Sequence, residues 1–255
     1  MSATTIHYET HGHGPEGVLV MHDWNGDRSN YDPVRPYLDQ DAFTYAFVDL
    51  RGYGGSRDVR GEYTMREIAG DALGVADALG WKRFHVLGHS MTGMAVERLL
   101  ADATDRVKSA IAVCPLSAAG SPIDDATFGF FASTSTDDER FCALLRYMSG
   151  GLSTRWERAK LAQNRRTVNP ACRLGYLTTF ARTSFVDDVR GIETPLLVVI
   201  GEHDRGLDRE AMTKTFLAWH PNAELELVPN CGHYPMQECP PYFATRVERF
   251  LREHV

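Results

Sequence analysis

Short apolar runs alternate with longer helical patterns along most of the chain. Runs rich in β-branched and other apolar residues predict strands at residues 3–10, 17–22, 43–49, 83–88, 108–114, 195–201 and 223–228. Several of these runs are almost continuously apolar, which is typical of the central strands of a parallel sheet that is covered on both faces.

Helical spacing of apolar side chains occupies the intervals between several of these runs. Residues 65–80 follow Thr64, a suitable N-cap, and end at Gly80, and residues 90–101 and 241–253 show the same spacing. Alternating strands and helices predict right-handed crossovers within a single sheet. The predicted fold class is therefore α/β, with a mostly parallel central sheet and helices on both faces.

Residues 117–187 break this alternation. The segment is too long for a simple connection and contains helix-like stretches, which indicates a helical insertion. Its many aromatic and thioether side chains exceed what its own small core needs. We predict a helical cap, or lid, over a core domain of residues 1–116 and 188–255, with substrate contacts from Phe128, Phe131, Met148 and Trp156. The alternative is that these side chains only dock the segment on the core.

Composition narrows the classes of partner. The 255 residues are 43% hydrophobic and carry a formal net charge of −7 with scattered Lys and Arg, so they favour one large domain and argue against nucleic acid as a partner. The sequence shows neither an N-terminal segment like a signal peptide nor an apolar run of about 20 residues, so a membrane partner is not expected. The sequence predicts a cytoplasmic protein with a small-molecule substrate and leaves a homo-oligomer open.

Three side chains that could form a nucleophilic site each follow a predicted strand. Ser90 lies in V-L-G-H-S-M-T-G, where an apolar run meets a helical pattern, and Asp204 and His233 follow in chain order. A serine hydroxyl needs a histidine to take its proton and a carboxylate to orient that histidine. The alternative for Ser90 is a helix N-cap.

Five motifs in order resemble those of the α/β-hydrolase family, over nearly the whole chain. They are M-H-D-W-N-G-D near residue 21, D-L-R-G-Y-G-G-S at 49–56, G-H-S-M-T-G at 88–93, G-E-H-D at 201–204 and N-C-G-H-Y-P-M-Q-E at 230–238. The resemblance implies an esterase-like member with a serine nucleophile and a helical cap inserted after the sixth strand.

The resemblance also implies a role for each site residue. Ser90 would be the nucleophile, His233 the general base and later acid, and Asp204 the carboxylate that orients the imidazole. The backbone N–H groups of Trp24 and Met91 would form the oxyanion hole. We expect the side chains of two neighbours of this site to contact substrate as well, namely Trp24 and Tyr234.

Two positions depart from the family pattern. Asp23 stands where glycine is usual, and a carboxylate aimed inward would oppose a developing oxyanion. We expect it to point toward solvent or a loop N–H. Thr92 also stands where glycine is common, and we expect it to tighten the packing behind Ser90.

No cofactor or metal is expected. G-H-G-P-E-G at 12–17 precedes a strand rather than following one, which argues against a dinucleotide site. His7, His11 and His13 fall across an edge strand and a loop without a nearby second cluster of ligands.

The sequence therefore predicts a cofactor-free serine hydrolase that cleaves a small to medium, partly apolar ester or lactone. One alternative is carbon–carbon bond hydrolysis of a dienoic keto acid, which requires at least one cap or loop arginine facing the pocket to meet the substrate carboxylate. The candidates for that contact are Arg155, Arg158, Arg165, Arg166 and Arg182. A perhydrolase or haloperoxidase-like activity and a non-catalytic ligand receptor on the same fold also stay open.

Overall fold

The computed structural model describes residues 6–255, which form a seven-stranded sheet flanked by helices. The strands are β1 (Tyr8–Gly12), β2 (Glu16–Met21), β3 (Phe43–Val48), β4 (Phe84–His89), β5 (Val107–Val113), β6 (Leu196–Gly201) and β7 (Ala223–Val228). Their order is β1-β3-β2-β4-β5-β6-β7. Only β1 runs antiparallel to its neighbour, so the predicted mostly parallel sheet is confirmed.

Helices occupy the connections on both faces of the sheet. They are α1 (Met65–Ala78), α2 (Met91–Ala103), α3 (Asp125–Ser133), α4 (Asp138–Met148), α5 (Thr154–Thr167), α6 (Pro170–Arg182), α7 (Val186–Val189), α8 (Arg209–Lys214), α9 (Phe216–Trp219), α10 (Pro235–Glu238) and α11 (Pro240–Arg252). Thr64 caps α1 as predicted, since its hydroxyl accepts a hydrogen bond from the Glu67 N–H at 3.1 Å.

The continuous apolar runs reflect burial on both faces. In β6, Leu196, Val198 and Ile200 belong to one buried cluster, whereas Leu197 and Val199 belong to a second cluster on the opposite face. Helices α1 and α2 pack into the first cluster, and α11 packs into the second. Successive strand residues point to opposite faces, so a strand covered on both faces must be apolar at every position.

The limits of the first strand and the place of the helical insertion differ most from their predictions. The first strand was expected at 3–10, but residues 3–5 lie outside the described range and β1 continues to Gly12, where it still pairs with β3. The five helices α3–α7 lie between β5 and β6. The helical insertion thus follows the fifth strand rather than the sixth, because residues 6–116 contain five strands.

Within residues 6–255, none of the helices has the combined length and apolar character needed to cross a bilayer.

Candidate active site

Ser90 lies at the turn that joins β4 directly to α2. Its backbone has φ 57° and ψ −116°, a conformation that non-glycine residues adopt only at a cost. Three backbone hydrogen bonds hold the turn: the Ser90 N–H donates to Val113 O at 2.8 Å, and the Ser90 carbonyl accepts from Gly93 at 2.9 Å and Leu116 at 3.0 Å. The serine is nearly buried, and its side chain makes no cap hydrogen bond with α2. Ser90 therefore occupies the N-cap position of α2, but its side chain does not cap the helix.

Two glycines let the strand and helix approach closely around this serine. A Cβ at Gly88 would lie 2.3 Å from the Thr92 carbonyl oxygen, and one at Gly93 would lie 2.2 Å from the Pro115 side chain. These separations are far shorter than any van der Waals contact. Glycine is thus required at both positions because a side chain would not fit, and not because of the backbone φ angle.

The Thr92 hydroxyl connects this turn to the end of β2. Its Oγ1 accepts a hydrogen bond from the His89 N–H at 2.8 Å and lies 3.0 Å from the carbonyl oxygens of His22 and His89. Thr92 is fully buried. The threonine therefore braces the turn against the loop that begins at His22, in agreement with the packing role expected for it.

His233 and Asp204 form a buried hydrogen-bonded pair. The His233 Nδ1 and Asp204 Oδ2 atoms are 2.7 Å apart, and His233 Nε2 is buried without a partner among the described residues. Burial acts to lower the pKa of His233, but the charge and hydrogen bond of Asp204 outweigh it and raise that pKa above its ordinary value. The unpartnered Nε2 is thus the atom of this ring that remains available to a reacting group.

Hydrogen bonds to the Glu238 side chain and one close backbone contact hold the loop that carries His233. The Glu238 carboxylate accepts hydrogen bonds from the N–H groups of Gly150 (2.9 Å), Gly232 (2.8 Å) and Tyr234 (3.0 Å). A Cβ at Gly201 would lie 2.1 Å from the Gly232 carbonyl oxygen, so the end of β6 and this loop touch through backbone alone. The loop therefore has little freedom to move relative to the sheet.

Ser90, Asp204 and His233 all line one cavity of about 580 Å³ between the core and the helical segment. The remaining lining is mostly apolar and comes from both sides, namely Trp24, Asn25, Met91, Leu116, Ser121, Thr127, Phe130, Phe131, Ala143, Leu144, Tyr147, Met148, Phe180, Arg205, Gly206 and Leu207. The structure thus brings together the three residues that the sequence singled out.

Half of the predicted substrate contacts lie on this cavity. Trp24, Phe131 and Met148 line it, whereas Phe128, Trp156 and Tyr234 do not. The aromatic character of these residues did not show which way each side chain points.

The three side chains outside the cavity each have another partner. The Phe128 ring lies 5.4 Å from the Arg182 guanidinium carbon, and the Trp156 Nε1 donates to Gln237 Oε1 at 2.8 Å. The buried Tyr234 hydroxyl donates to Asp23 Oδ2 at 2.9 Å. These contacts orient all three side chains toward protein rather than toward the cavity.

Sequence reasoning missed one wall of the cavity that helical spacing could have revealed. Leu144, Tyr147 and Met148 line it from α4, and they stand at positions i, i+3 and i+4 on one helical face. Only Met148 was singled out as a substrate contact.

The backbone N–H groups of Trp24 and Met91 belong to two residues that line the cavity. Neither donates a hydrogen bond to any residue in 6–255. Met91 is the first residue of α2, where N–H groups have no partner within the helix. The Trp24 and Met91 amides therefore have no acceptor among the described residues.

Asp23 is fully buried and does not face solvent. Its Oδ1 accepts from the Gly26 N–H at 3.0 Å and from Asn30 Nδ2 at 2.7 Å, while Oδ2 accepts from Tyr234. The loop N–H contact expected for this carboxylate is present. Burial would raise the pKa of Asp23, but the charge of Lys160 leads the effects that hold that pKa well below its ordinary value.

Two buried cations of the helical segment face this loop. The Lys160 Nζ donates to Asn30 Oδ1 at 2.5 Å, and burial lowers the pKa of Lys160. The Arg173 guanidinium lies 3.9 Å from the Trp24 ring centroid and donates to Asn25 Oδ1 at 3.1 Å. Sequence patterns did not reveal this polar network between the helical segment and the loop after β2, because its residues lie far apart in the chain.

His89 is buried beside the site but does not line the cavity. Its Nε2 donates to the His233 carbonyl oxygen at 2.7 Å. Burial lowers the pKa of His89 to about 3, so the ring is neutral near pH 7. His89 therefore supports the His233 backbone and is turned away from the cavity.

One group in the described part of the chain offers three potential metal ligands close together. Atoms of Cys114, Asp204 and His233 lie within 4.8 Å of one another, and all three residues are buried. Two of them already bind each other through the Asp204–His233 hydrogen bond.

Comparison with known proteins identifies a family over most of the chain. A model of the alpha/beta hydrolase family matches residues 10–246. The chain is 28% identical over 257 residues to a pimeloyl-[acyl-carrier protein] methyl ester esterase of Nitrosomonas europaea, covering 94% of this chain and 97% of that protein.

Two further similarities involve a longer protein and a solved structure. The chain is 31% identical over 154 residues to the dihydrolipoyllysine-residue acetyltransferase component of an acetoin cleaving system of Cupriavidus necator, covering 59% of this chain and only 40% of that protein. A bromoperoxidase structure from Bacillus anthracis superposes with a TM-score of 0.84 at 22% identity, covering 97% of this chain and 95% of that one. The last similarity concerns the fold alone.

Proposed function

Because the chain belongs to the alpha/beta hydrolase family, we propose that it is a serine hydrolase that cleaves a partly apolar carboxylic ester or lactone through an acyl-enzyme on Ser90. One observation above all supports this proposal. The His233 ring binds Asp204 through Nδ1 and presents an unpartnered, buried Nε2 in the same cavity that Ser90 lines.

The proposed reaction has two stages. The Ser90 Oγ attacks the carbonyl carbon while its proton passes to His233 Nε2, and the leaving alcohol then takes that proton as the acyl–oxygen bond breaks. Water enters the same position, gives a proton to Nε2 and hydrolyses the acyl-enzyme, which releases the acid and restores Ser90. Asp204 holds the imidazole in the required tautomer and stabilises its positive form.

The Trp24 and Met91 amides are the proposed oxyanion hole. Each lacks an acceptor within residues 6–255, and each belongs to a residue that lines the cavity beside Ser90. Fixed N–H donors aimed at a developing oxyanion are worth about 3 kcal/mol each. The buried Lys160 offsets the charge of Asp23, so that carboxylate does not oppose this role.

We assign residues 117–187 as a cap that forms the outer wall of the acyl pocket. Phe130, Phe131, Leu144 and Phe180 line the cavity from this segment. Their apolar surface fits an acyl chain or ring of small to medium size.

The five arginines considered for carbon–carbon hydrolysis of a dienoic keto acid do not supply the contact that this reaction was expected to need. None of the five lines the cavity, whereas Arg205, from the loop after β6, does. Arg165 donates to Asp138 Oδ1 at 2.9 Å and is half-buried. The other four are exposed, namely Arg155, Arg158, Arg166 and Arg182.

A serine-directed fluorophosphonate probe and a short-chain aryl ester test the proposal together. We expect the probe to label Ser90 in the purified protein, and S90A to abolish both labelling and ester turnover while the circular dichroism spectrum is retained. S117A is a matched control, because Ser117 is buried nearby but does not line the cavity. Ester turnover by S90A equal to that of the wild type would contradict the proposal. Slow or absent labelling with tight ligand binding would favour a receptor.

A further inference from the structure

Arg205 is the only lysine or arginine within the described residues that lines the cavity. It directly follows Asp204, in the loop between β6 and α8, and its side chain is exposed. The cavity wall is otherwise mostly apolar, and its one acidic residue, Asp204, is bound to His233. A single exposed guanidinium therefore sets the charge at the open side of this cavity.

No carboxylate neutralises Arg205. Its side chain makes no ion pair and no hydrogen bond with residues 6–255, although the chain as a whole carries a net charge of −7. The two flanking acids serve other groups: Glu202 accepts from the Asn230 N–H at 2.8 Å, and Asp208 accepts from the Ala211 N–H at 2.9 Å. The positive charge of Arg205 is thus available to a bound anion.

An aromatic contact holds the guanidinium at the edge of the cavity. The Arg205 Cζ lies 5.4 Å from the ring centroid of Tyr147, which lines the cavity from α4 and is itself half exposed. A cation stacked on an aromatic ring keeps its N–H donors free at the edge of the guanidinium plane. Arg205 is therefore placed where it can donate two hydrogen bonds to a carboxylate at the cavity entrance.

We infer that Arg205 recognises a carboxylate on the substrate, at the end opposite to the bond that is cleaved. The inference rests on the proposed function and narrows its substrate class to half esters of dicarboxylic acids, or lactones that carry a distal carboxylate. An apolar wall cannot accept a charged group without a partner, so the carboxylate stays with Arg205 at the entrance. The aliphatic part then spans the cavity, and the ester carbonyl lies at Ser90.

Paired substrates test this inference. p-Nitrophenyl half esters of linear dicarboxylic acids of graded length are compared with matched esters in which a primary amide replaces the free carboxylate. We expect the wild type to favour the acid over the amide at one chain length, and R205Q to reduce this ratio of kcat/KM about 3- to 10-fold at low ionic strength. The change should lie in KM, because the contact is the same in ground state and transition state. R205K should restore part of the ratio, and added salt should reduce it in the wild type.

R209Q is the matched control, since Arg209 is an exposed arginine at the start of α8 that does not line the cavity. It removes the same charge from the same region and should leave the acid-to-amide ratio unchanged. A ratio that is equal in wild type and R205Q, or that falls equally in R209Q, would overturn the inference.

Binding separates this inference from the proposed function. Calorimetric titration of S90A and of S90A/R205Q with the half ester measures recognition without turnover. Weaker binding to the double variant supports the carboxylate contact even if the wild type fails to hydrolyse the ester. Equal binding to both variants refutes the contact, even if Ser90 proves to be the nucleophile.

Discussion

His233 is subject to two opposite effects on its pKa at the scale of a single residue. Burial lowers this pKa, and the Asp204 carboxylate more than compensates. In the proposed mechanism the imidazole must be neutral to accept the Ser90 proton, so activity should be lost as the pH falls below the raised pKa.

D204N tests this balance. We expect kcat to fall about 10³- to 10⁴-fold, because the ring loses the partner that fixes its tautomer. The acidic limb of the kcat/KM profile should move to lower pH, because burial still lowers the pKa and the carboxylate no longer raises it. The measurement is the pH dependence of aryl ester hydrolysis. An acidic limb that stays in place would show that Asp204 does not set the pKa of His233.

At the scale of elements, a buried polar network connects α5 to the loop after β2. Lys160 on α5 is buried opposite Asp23, and both side chains also bind Asn30. The two charged groups form no direct ion pair within residues 6–255, but each affects the pKa of the other. Removing one of two interacting buried charges leaves the other uncompensated, at a cost of about 3–5 kcal/mol.

A double-mutant cycle measures the interaction between Asp23 and Lys160. We expect D23N to lower the free energy of unfolding by about 3–5 kcal/mol, and D23N/K160M to cost at least about 1 kcal/mol less than the sum of the single variants. Urea denaturation of the four proteins gives the coupling. The exposed pair Glu210–Lys214 provides the control cycle, E210Q and K214M, for which about 0.5 kcal/mol or less is expected. Additive effects in the first cycle would mean that the two charges do not interact.

The limits of the strands could be predicted from the sequence, whereas the positions of several side chains could not. Strands β2 to β7 lie within one residue of their predicted limits, because the central strands are continuously apolar and β7 alternates apolar with polar residues. Ser90, Asp204 and His233 could be singled out because each follows a strand that the pattern of apolar residues predicts. The positions of Trp156 and Tyr234 could not be predicted, since their hydrogen bonds to Gln237 and Asp23 depend on how distant segments pack.

At the scale of the whole molecule, the free energy of unfolding should fall in acid because His85 and His89 are buried. Burial lowers the pKa of His85 to about 4 and that of His89 to about 3, whereas the unfolded chain retains values near 6.5. Between about pH 6.5 and pH 4 the unfolded chain therefore binds more protons, and stability falls as the pH falls. Each histidine contributes up to about 1.4 kcal/mol per pH unit in this window.

H89Q separates this effect from a general loss of stability. The glutamine amide can still donate to the His233 carbonyl, but it does not titrate. We expect the slope of unfolding free energy against pH, measured in urea between pH 6 and pH 4, to decrease by up to about 1.4 kcal/mol per pH unit. H13Q, which replaces an exposed histidine, is the control and should keep the wild-type slope. An unchanged slope in H89Q would mean that His89 is not a neutral buried group.

The attachment of the helical segment has a consequence for how substrate enters. Swinging α5 and α6 outward as a body would separate Lys160 and Arg173 from the oxygens that bind them in the interior. Admission past Tyr147 and Arg205 needs only rotamer changes, which exposed side chains complete in picoseconds to nanoseconds. We expect the entrance to act as a fixed aperture that sorts molecules by width, with no slow opening step before the chemistry.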